Sequence, residues 1–596
     1  MKKFILTAAV LLNLILLCCT PDAPLTPSQK AKTYVLAEMD TLAHIAEHKL
    51  LRLASAGPSD SIRIAFAETR MAYKQVELFT EYYAPTASKE LNGAALPEIE
   101  VEETKTFEPS GLQVIEEHLY PVYEESNRKE LVREIKKFIS ILGRARNVLE
   151  STEFTEAHLL SACKQEIYRI MVLGMAGFDT PLAATGIQEA SVALTAVKEV
   201  LSFFGENPEL EKLLYEAIVY TSQQHNFDSF DRMAFIMRFA NPITRSLTNW
   251  QTELNIPAAD AQSVLNPIAT TLFDQDAVNI NYFAGSSEAQ ATPAKIKLGK
   301  MLFFDPVVAG GTRTCGTCHR PELAFTDGMP KSAAIEAGKV VQRNAPTLLY
   351  AGLQHAQFYD MRATSLESQA EAVILNKEEM HGSVTEAANR LNRQQNYLQA
   401  FQEAFPEIKA EVTPKHVMIA LASYVRSLAP FNSRFDRHMR GEKELLSVEE
   451  VKGFNLFMGK AKCGTCHFMP VFNGTAAPAF NNTEGEVIGV LQNPNAALPK
   501  LDADEGRYVQ NQLAELCYSF KTPTVRNIAK TAPYMHNGAY TGLEQVMDFY
   551  NKGGAAGMGL ILENQTLPSD PLNLREDEIQ AIIAFLQTLT DDTYAN

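Results

Sequence analysis

Cys315, Cys318 and His319 stand in the pentapeptide CGTCH, and the same five residues return at Cys463, Cys466 and His467. Two thiols with two residues between them can each add to a vinyl group of one porphyrin, while the imidazole that follows binds the iron. This spacing is the attachment signature of c-type haem. A zinc site built from two cysteine pairs, or a set of redox dithiols, would use the same thiols. Neither needs a histidine directly after each pair. Two covalently bound c-type haems are therefore expected, with His319 and His467 as axial ligands.

The repetition extends beyond the motifs, so the elements that position them are expected to repeat as well. GKMLF (Gly299, Leu302, Phe303) precedes the first motif and GFNLF (Gly453, Leu456, Phe457) the second. Downstream, Pro346 and Thr347 match Pro523 and Thr524, and Leu366 and Glu367 match Leu543 and Glu544. The second copy is longer between motif and match, by a stretch that includes NGTAAPAFNNTEGEVIGVLQNPN. This is an internal duplication, two cytochrome-c-like domains in one chain. Thr292 and Pro293 predict the start of a helix, as do Ser447 and Glu450 through a capping box. Each haem domain is expected to close with an amphipathic helix, one carrying Val417, Leu421 and Tyr424, the other Ile579, Ile583 and Leu586.

With LGKMLFFDP, RNAPTLL, FYDMRATSLESQA, FKTPTVRNIAKTAPYMHNGAY and LEQVMDFYNKGG in this order, the region from about 290 to 590 resembles the bacterial dihaem cytochrome c peroxidases and the related MauG enzymes. The resemblance implies that peroxide reacts at the haem of His319 and that the haem of His467 relays electrons to it. It implies that Gln369 and Glu379 line the peroxide side of the first haem, where a carboxyl can carry a proton between the two oxygens. Tyr359 stands where the family usually has a Trp between the haems. Older peroxidases have a removable histidine ligand in the loop after the first motif; here residues 320–342 contain none. That implies an open first iron, as in the MauG branch, with Met329 not taken as a ligand. Tyr550 is the implied sixth ligand of the second haem, with Met547 as competitor; a phenolate favours higher-valent iron and a thioether raises the potential. Asn344, Thr531 and Pro533 match the family's calcium site, and His536 is read as a packing group beside it.

Residues 20–265 carry no haem motif and show apolar residues at helical spacing in stretches such as 31–54, 62–83 and 129–150. RMAYKQVELFTEYY followed by EPSGLQVIEEHLYP resembles imelysin-like domains, although Gln113 stands where that family's metal motif has His. The domain is read as a docking or scaffolding module; His44 and His48 share a helix face and are taken as solvated. Residues 1–19 combine Lys2 and Lys3, an apolar run and Cys18-Cys19, and resemble a lipoprotein leader cut before Cys19; plain secretion is the other reading. The expected architecture is all-α: leader 1–19, helical bundle 20–265, linker 266–291, first haem domain 292–440 and second haem domain 441–596. Of eight cysteines, Cys163 and Cys517 are left as singletons, without a disulfide framework.

A net charge of −17 argues against nucleic acid as a partner. The expected function is a dihaem peroxidase on the periplasmic side of a bacterial membrane, held by a lipid anchor. It would reduce hydrogen peroxide with electrons from a small c-type cytochrome or cupredoxin, and a homodimer is an open assembly. Two alternatives stand beside it: a MauG-like oxidase that modifies a protein or organic substrate, and a non-enzymatic electron-transfer cytochrome.

Overall fold

Helices make up most of the chain in this computed structural model, which describes residues 24–100, 105–259, 263–407, 411–443 and 445–591. The leader, with the acylation read at Cys19, lies outside the described residues. Among the described residues no helix is long and apolar enough to cross a membrane.

The N-terminal bundle is built on α1 (Pro27–Ile45), α2 (Ser59–Tyr83), α3 (Arg128–Ser151), α4 (Glu156–Arg169), α5 (Gly186–Ser202), α6 (Pro208–Ser222) and α7 (Asn241–Glu253). α2 is central, packing on α1, α4 and α5, with Phe66, Tyr73, Val76 and Phe79 buried at helical spacing. Its polar face is buried as well. Arg70 pairs with Glu189 at 2.6 Å, and Asp179 accepts from Lys74 at 2.8 Å and from Arg169 at 2.7 Å. Buried charges are tolerated when paired and hydrogen-bonded in this way. Gln113 is buried and donates to the Asn92 carbonyl at 3.0 Å. His44 and His48 are both exposed, and Cys163 is an inert thiol in α4 whose burial raises its pKa far above the ordinary range. The architecture is mostly rather than purely helical. Two small antiparallel ribbons interrupt it, β1 (Glu98–Glu100) with β2 (Lys105–Phe107), and β3 (Gly485–Val487) with β4 (Ser519–Lys521).

The duplication is physical. In the first haem domain α8 (Pro293–Phe304) crosses α10 (Pro414–Arg426), with α9 (Leu366–Leu375) packed on α10. α11 (Arg434–Met439) follows, and in the second domain α12 (Val448–Met458) crosses α14 (Glu576–Thr588), with α13 (Leu543–Asn551) beside α14. A Cβ on Gly299 would stand 1.9 Å from the Ala420 carbonyl oxygen, and one on Gly453 1.9 Å from that of Ala581. The two glycines noted in the sequence thus set the same close crossing twice. Gly453→Ala is expected to destabilise the protein by about 1–3 kcal/mol through overpacking; thermal unfolding of the haem-loaded protein checks this. Thr292 and Ser447 cap α8 and α12 as the sequence predicts.

One element departs from the expected division. α11 sits before residue 440, yet Phe435 packs against Phe454, Phe472 and Phe585 of the second domain, at centroid distances of 5.6, 5.4 and 5.7 Å. The core of the second domain therefore begins ahead of the boundary read from the sequence. The two haem domains are joined by a buried polar seam. Arg526 donates to Asp436 at 2.7 and 2.9 Å and to the Pro470 carbonyl, and its guanidinium lies over the rings of Tyr350, Phe431 and Phe472. Asp591 accepts from the Tyr350 hydroxyl at 2.8 Å and from Asn527 at 2.8 Å.

Candidate functional site

The CGTCH turns are short 3-10 segments, Cys315–Thr317 and Cys463–Thr465, each placed at the end of its glycine-bearing helix. In the first, the ring of His319 bonds through Nδ1 to the Phe325 carbonyl at 2.9 Å. Nδ1 then carries the proton and Nε2 presents a lone pair. Burial lowers the pKa of this imidazole, so it is neutral and able to ligate. His467 repeats the arrangement, with Nδ1 at 3.0 Å from the Pro523 carbonyl and 3.3 Å from that of Phe472, and burial pushes its pKa down to about 4.

His319, Cys315 and Cys318 open onto a cavity of about 470 Å³ whose apolar wall includes Phe303, Leu349, Val373 and Leu421. Gln369 from α9, Glu379 from the turn after α9, and Tyr359 line the same cavity. The structure thus gathers three residues named by resemblance alone around one histidine. Among the described residues, His319 is the one histidine lining the cavity, and Met329 of the His-free loop is 53% exposed. A slot of this size, with two thiols and one neutral imidazole at its edge, fits a covalently held haem. At the second turn the fit rests on the same donor set.

Glu379 is half-buried. Desolvation raises its pKa above the ordinary glutamate value, against the Asn376 hydrogen bond and the charges of Arg362 and Arg313. Asn376 donates to its carboxylate at 2.7 Å, and Arg313 donates to its backbone carbonyl at 3.1 Å. Tyr359 sits on the seam: its carbonyl accepts the Lys521 N–H of β4 at 2.7 Å, and its hydroxyl makes a long 3.5 Å contact with Asn344 Oδ1. Burial raises its phenol well above the ordinary range. Tyr550, on α13, is likewise raised, by burial first and then by the charges of Cys466, Cys463 and Glu486. Met547, one turn earlier, is buried in the main hydrophobic core. The Asn344 N–H bonds to the His536 carbonyl at 2.8 Å, which joins Asn344 to the loop containing Thr531 and Pro533. His536 stacks on Phe520 at 3.8 Å and contacts Asp502 at 3.3 Å.

Several residues of the cavity were not legible in the sequence. Arg313, Arg343, Arg362 and Lys521 all line it. Arg343 bridges Asp360 at 2.6 Å and Asp504 at 2.7 Å, and burial brings the Lys521 ammonium down to about 7. These cations suit a cofactor that carries two carboxylates. Arg343, Arg362 and Lys521 stand in segments that carry the family resemblance, but only the fold shows that they face the same cavity as Arg313.

The family model described as di-haem cytochrome c peroxidase matches residues 293–444. The chain is 33% identical over 300 residues to the methylamine utilization protein MauG of Methylorubrum extorquens, covering 50% of this chain and 78% of that one. It is 32% identical over 299 residues to the cytochrome c551 peroxidase of Nitrosomonas europaea, covering 50% and 80%. A crystal structure of a MauG-like protein associated with microbial copper homeostasis aligns with 52% of this chain and 92% of that one, at 27% identity and a TM-score of 0.44. The chain belongs to the di-haem cytochrome c peroxidase family. It is an oxidoreductase of the haem peroxidase class, and the family implies two c-type haems.

Proposed function

We propose that this protein reduces hydrogen peroxide to water at the site of His319, with electrons supplied through the site of His467 by a small c-type cytochrome or cupredoxin. The observation that carries the reading is the convergence of His319, Gln369 and Glu379 on one cavity that contains no second histidine. Bound at His319 and His467, c-type haem supplies the iron that takes up peroxide and exchanges electrons. The overall reaction consumes two electrons and two protons per peroxide and yields two waters. Glu379 serves as the proton carrier, accepting a proton from one peroxide oxygen and returning it to the other as the bond breaks. Asn376 holds that carboxylate in place, and Gln369 offers an amide to orient the peroxide. The resemblance sets Tyr359 between the two sites, where it must give up a proton when it passes a hole, a step its raised phenol makes pH-dependent.

Tyr550, whose phenol is raised by burial and next by the charges of Cys466 and Cys463, favours a second reading, a MauG-like oxidase, because a phenolate ligand would let the second haem share oxidising equivalents. Calcium held by Asn344, Thr531 and Pro533, an acylated Cys19 and a place on the periplasmic face of the membrane complete the proposal.

Low-temperature EPR of the diferric protein, before and after stoichiometric peroxide, tests it. One high-spin and one low-spin signal, both lost on adding peroxide without prior reduction, are expected. Two low-spin signals, with no reaction until an electron is supplied, would overturn the open first site. Tyr550→Met is expected to raise the potential of the low-spin haem and leave the high-spin signal unchanged; loss of the low-spin signal in Met547→Leu, with Tyr550→Met silent, would instead move the ligand to Met547.

A further inference from the structure

The two attachment turns share the sequence CGTCH, which makes each a control for the surroundings of the other. At the first turn, Thr317 and Arg320 are exposed and Gly316 is half-buried. At the second, Gly464, Phe468 and Met469 are all buried, and Phe468 occupies the place of Arg320 directly after the histidine.

The N-terminal bundle makes the difference. A wide helical turn at Ile170–Gly174 packs against Cys463–Thr465. Phe178 meets Phe468 edge-on with ring centroids 5.7 Å apart, and Lys462 reaches the Pro181 carbonyl at 3.5 Å. On the other flank Asn455 of α12 accepts the Met233 N–H at 3.0 Å and donates to Asp231 at 3.0 Å. Arg232 is 1% exposed and donates to the carbonyls of Met175, Phe230 and Phe227. Its guanidinium fits against Gly459, where a Cβ would stand 2.7 Å from it. Among the described residues, the matching face of the first domain has no such cover. When Gly299 is aligned with Gly453, Asn455 corresponds to Met301 and Met458 to Phe304, which are 38% and 39% exposed.

A porphyrin joined to Cys463 and Cys466 has its bonded edge at those sulfurs, so a body seated on the turn covers that edge. The cover is an aromatic contact flanked by hydrogen bonds, backed by helices about 10 Å across. Electron exchange between two proteins needs their redox edges close together, and a helical layer keeps them apart.

We propose that the N-terminal bundle is a fixed cap on the second attachment turn. It closes to other proteins the edge that the first turn leaves open, so an external redox protein reaches the second haem over a different face. The proposal rests on the haem reading of His467.

The test uses the full-length, haem-loaded protein. Phe468→Arg gives the second turn the residue that the first has, and Asp231→Ala with Asn455→Ala releases the flank without touching the turn. Reduction of the His467 haem is followed by stopped flow with two probes, a ferrous c-type cytochrome and hexaammineruthenium(II). Amide hydrogen exchange at residues 463–468 is measured alongside. Both variants are expected to speed exchange at the turn and to raise the cytochrome rate at least about tenfold, with the small reductant changed by no more than about twofold. Faster exchange with an unchanged cytochrome rate would overturn the cap, and so would a fall in that rate, which would make the bundle the donor's own docking platform. Unchanged exchange in both variants would show that these contacts do not hold the cap, and would overturn it as well. Haem content is counted first: fewer than two haems per chain would refute the haem reading and not the cap.

Discussion

Glu379→Gln is expected to lower the rate of peroxide reduction by about 10²–10⁴, the usual contribution of a positioned proton carrier. The amide keeps the shape and the Asn376 contact site while removing the basic carboxylate, so haem content and the ferric spectrum should be unchanged. The pH profile carries a second signature. The working form is the carboxylate, and burial raises its pKa above the ordinary glutamate value. The wild-type rate should therefore fall as pH drops through that raised value, and Glu379→Gln should lose this acid limb. The Asn376 hydrogen bond stabilises the carboxylate, so Asn376→Ala should move the limb to higher pH. An acid limb that survives in Glu379→Gln would assign the proton transfer to another group.

The largest stability effect is expected at the seam. Arg526 and Asp436 are 0% and 1% exposed, and removing one partner leaves the other charge buried and unpaired. Asp436→Ala, or Arg526→Met alone, should cost about 3–5 kcal/mol, whereas Arg526→Met with Asp436→Leu should recover much of the loss. Chemical denaturation of the haem-loaded protein, read at both Soret and far-ultraviolet bands, measures it. Burial alone would raise the Asp436 pKa, but Arg526 and the Ser433 hydrogen bonds outweigh it and the folded value lies below the ordinary one. The stabilisation is thus present above the ordinary aspartate pKa and is lost as pH falls through the lower folded value.

The residues that were legible in advance are those whose chemistry is local. A covalent haem demands two thiols and a histidine within five residues, and a helix crossing at carbonyl distance demands glycine, so Cys315–His319, Cys463–His467, Gly299 and Gly453 could be read from the chain. Glu379 and Gln369 are not distinctive by type; resemblance supplied them, and the cavity brings them together. What stayed hidden is tertiary. Phe435 joins the second core because its neighbours come from positions 454, 472 and 585. Arg343 and Lys521 reach the cavity from the two matched segments 343–349 and 520–526, where the match itself does not mark either as a cavity cation. The seating of Phe178 on Phe468 has no local signal on either side, since a single phenylalanine fits any core.

The seam also imposes an order on assembly. Tyr350 finds its carboxylate partner in Asp591, 241 positions further along the chain. Both CGTCH turns emerge from synthesis before that partner exists. The thiols can thus be presented to an attachment apparatus on an unclosed chain, and the contact that fixes the spacing of the two sites forms afterwards.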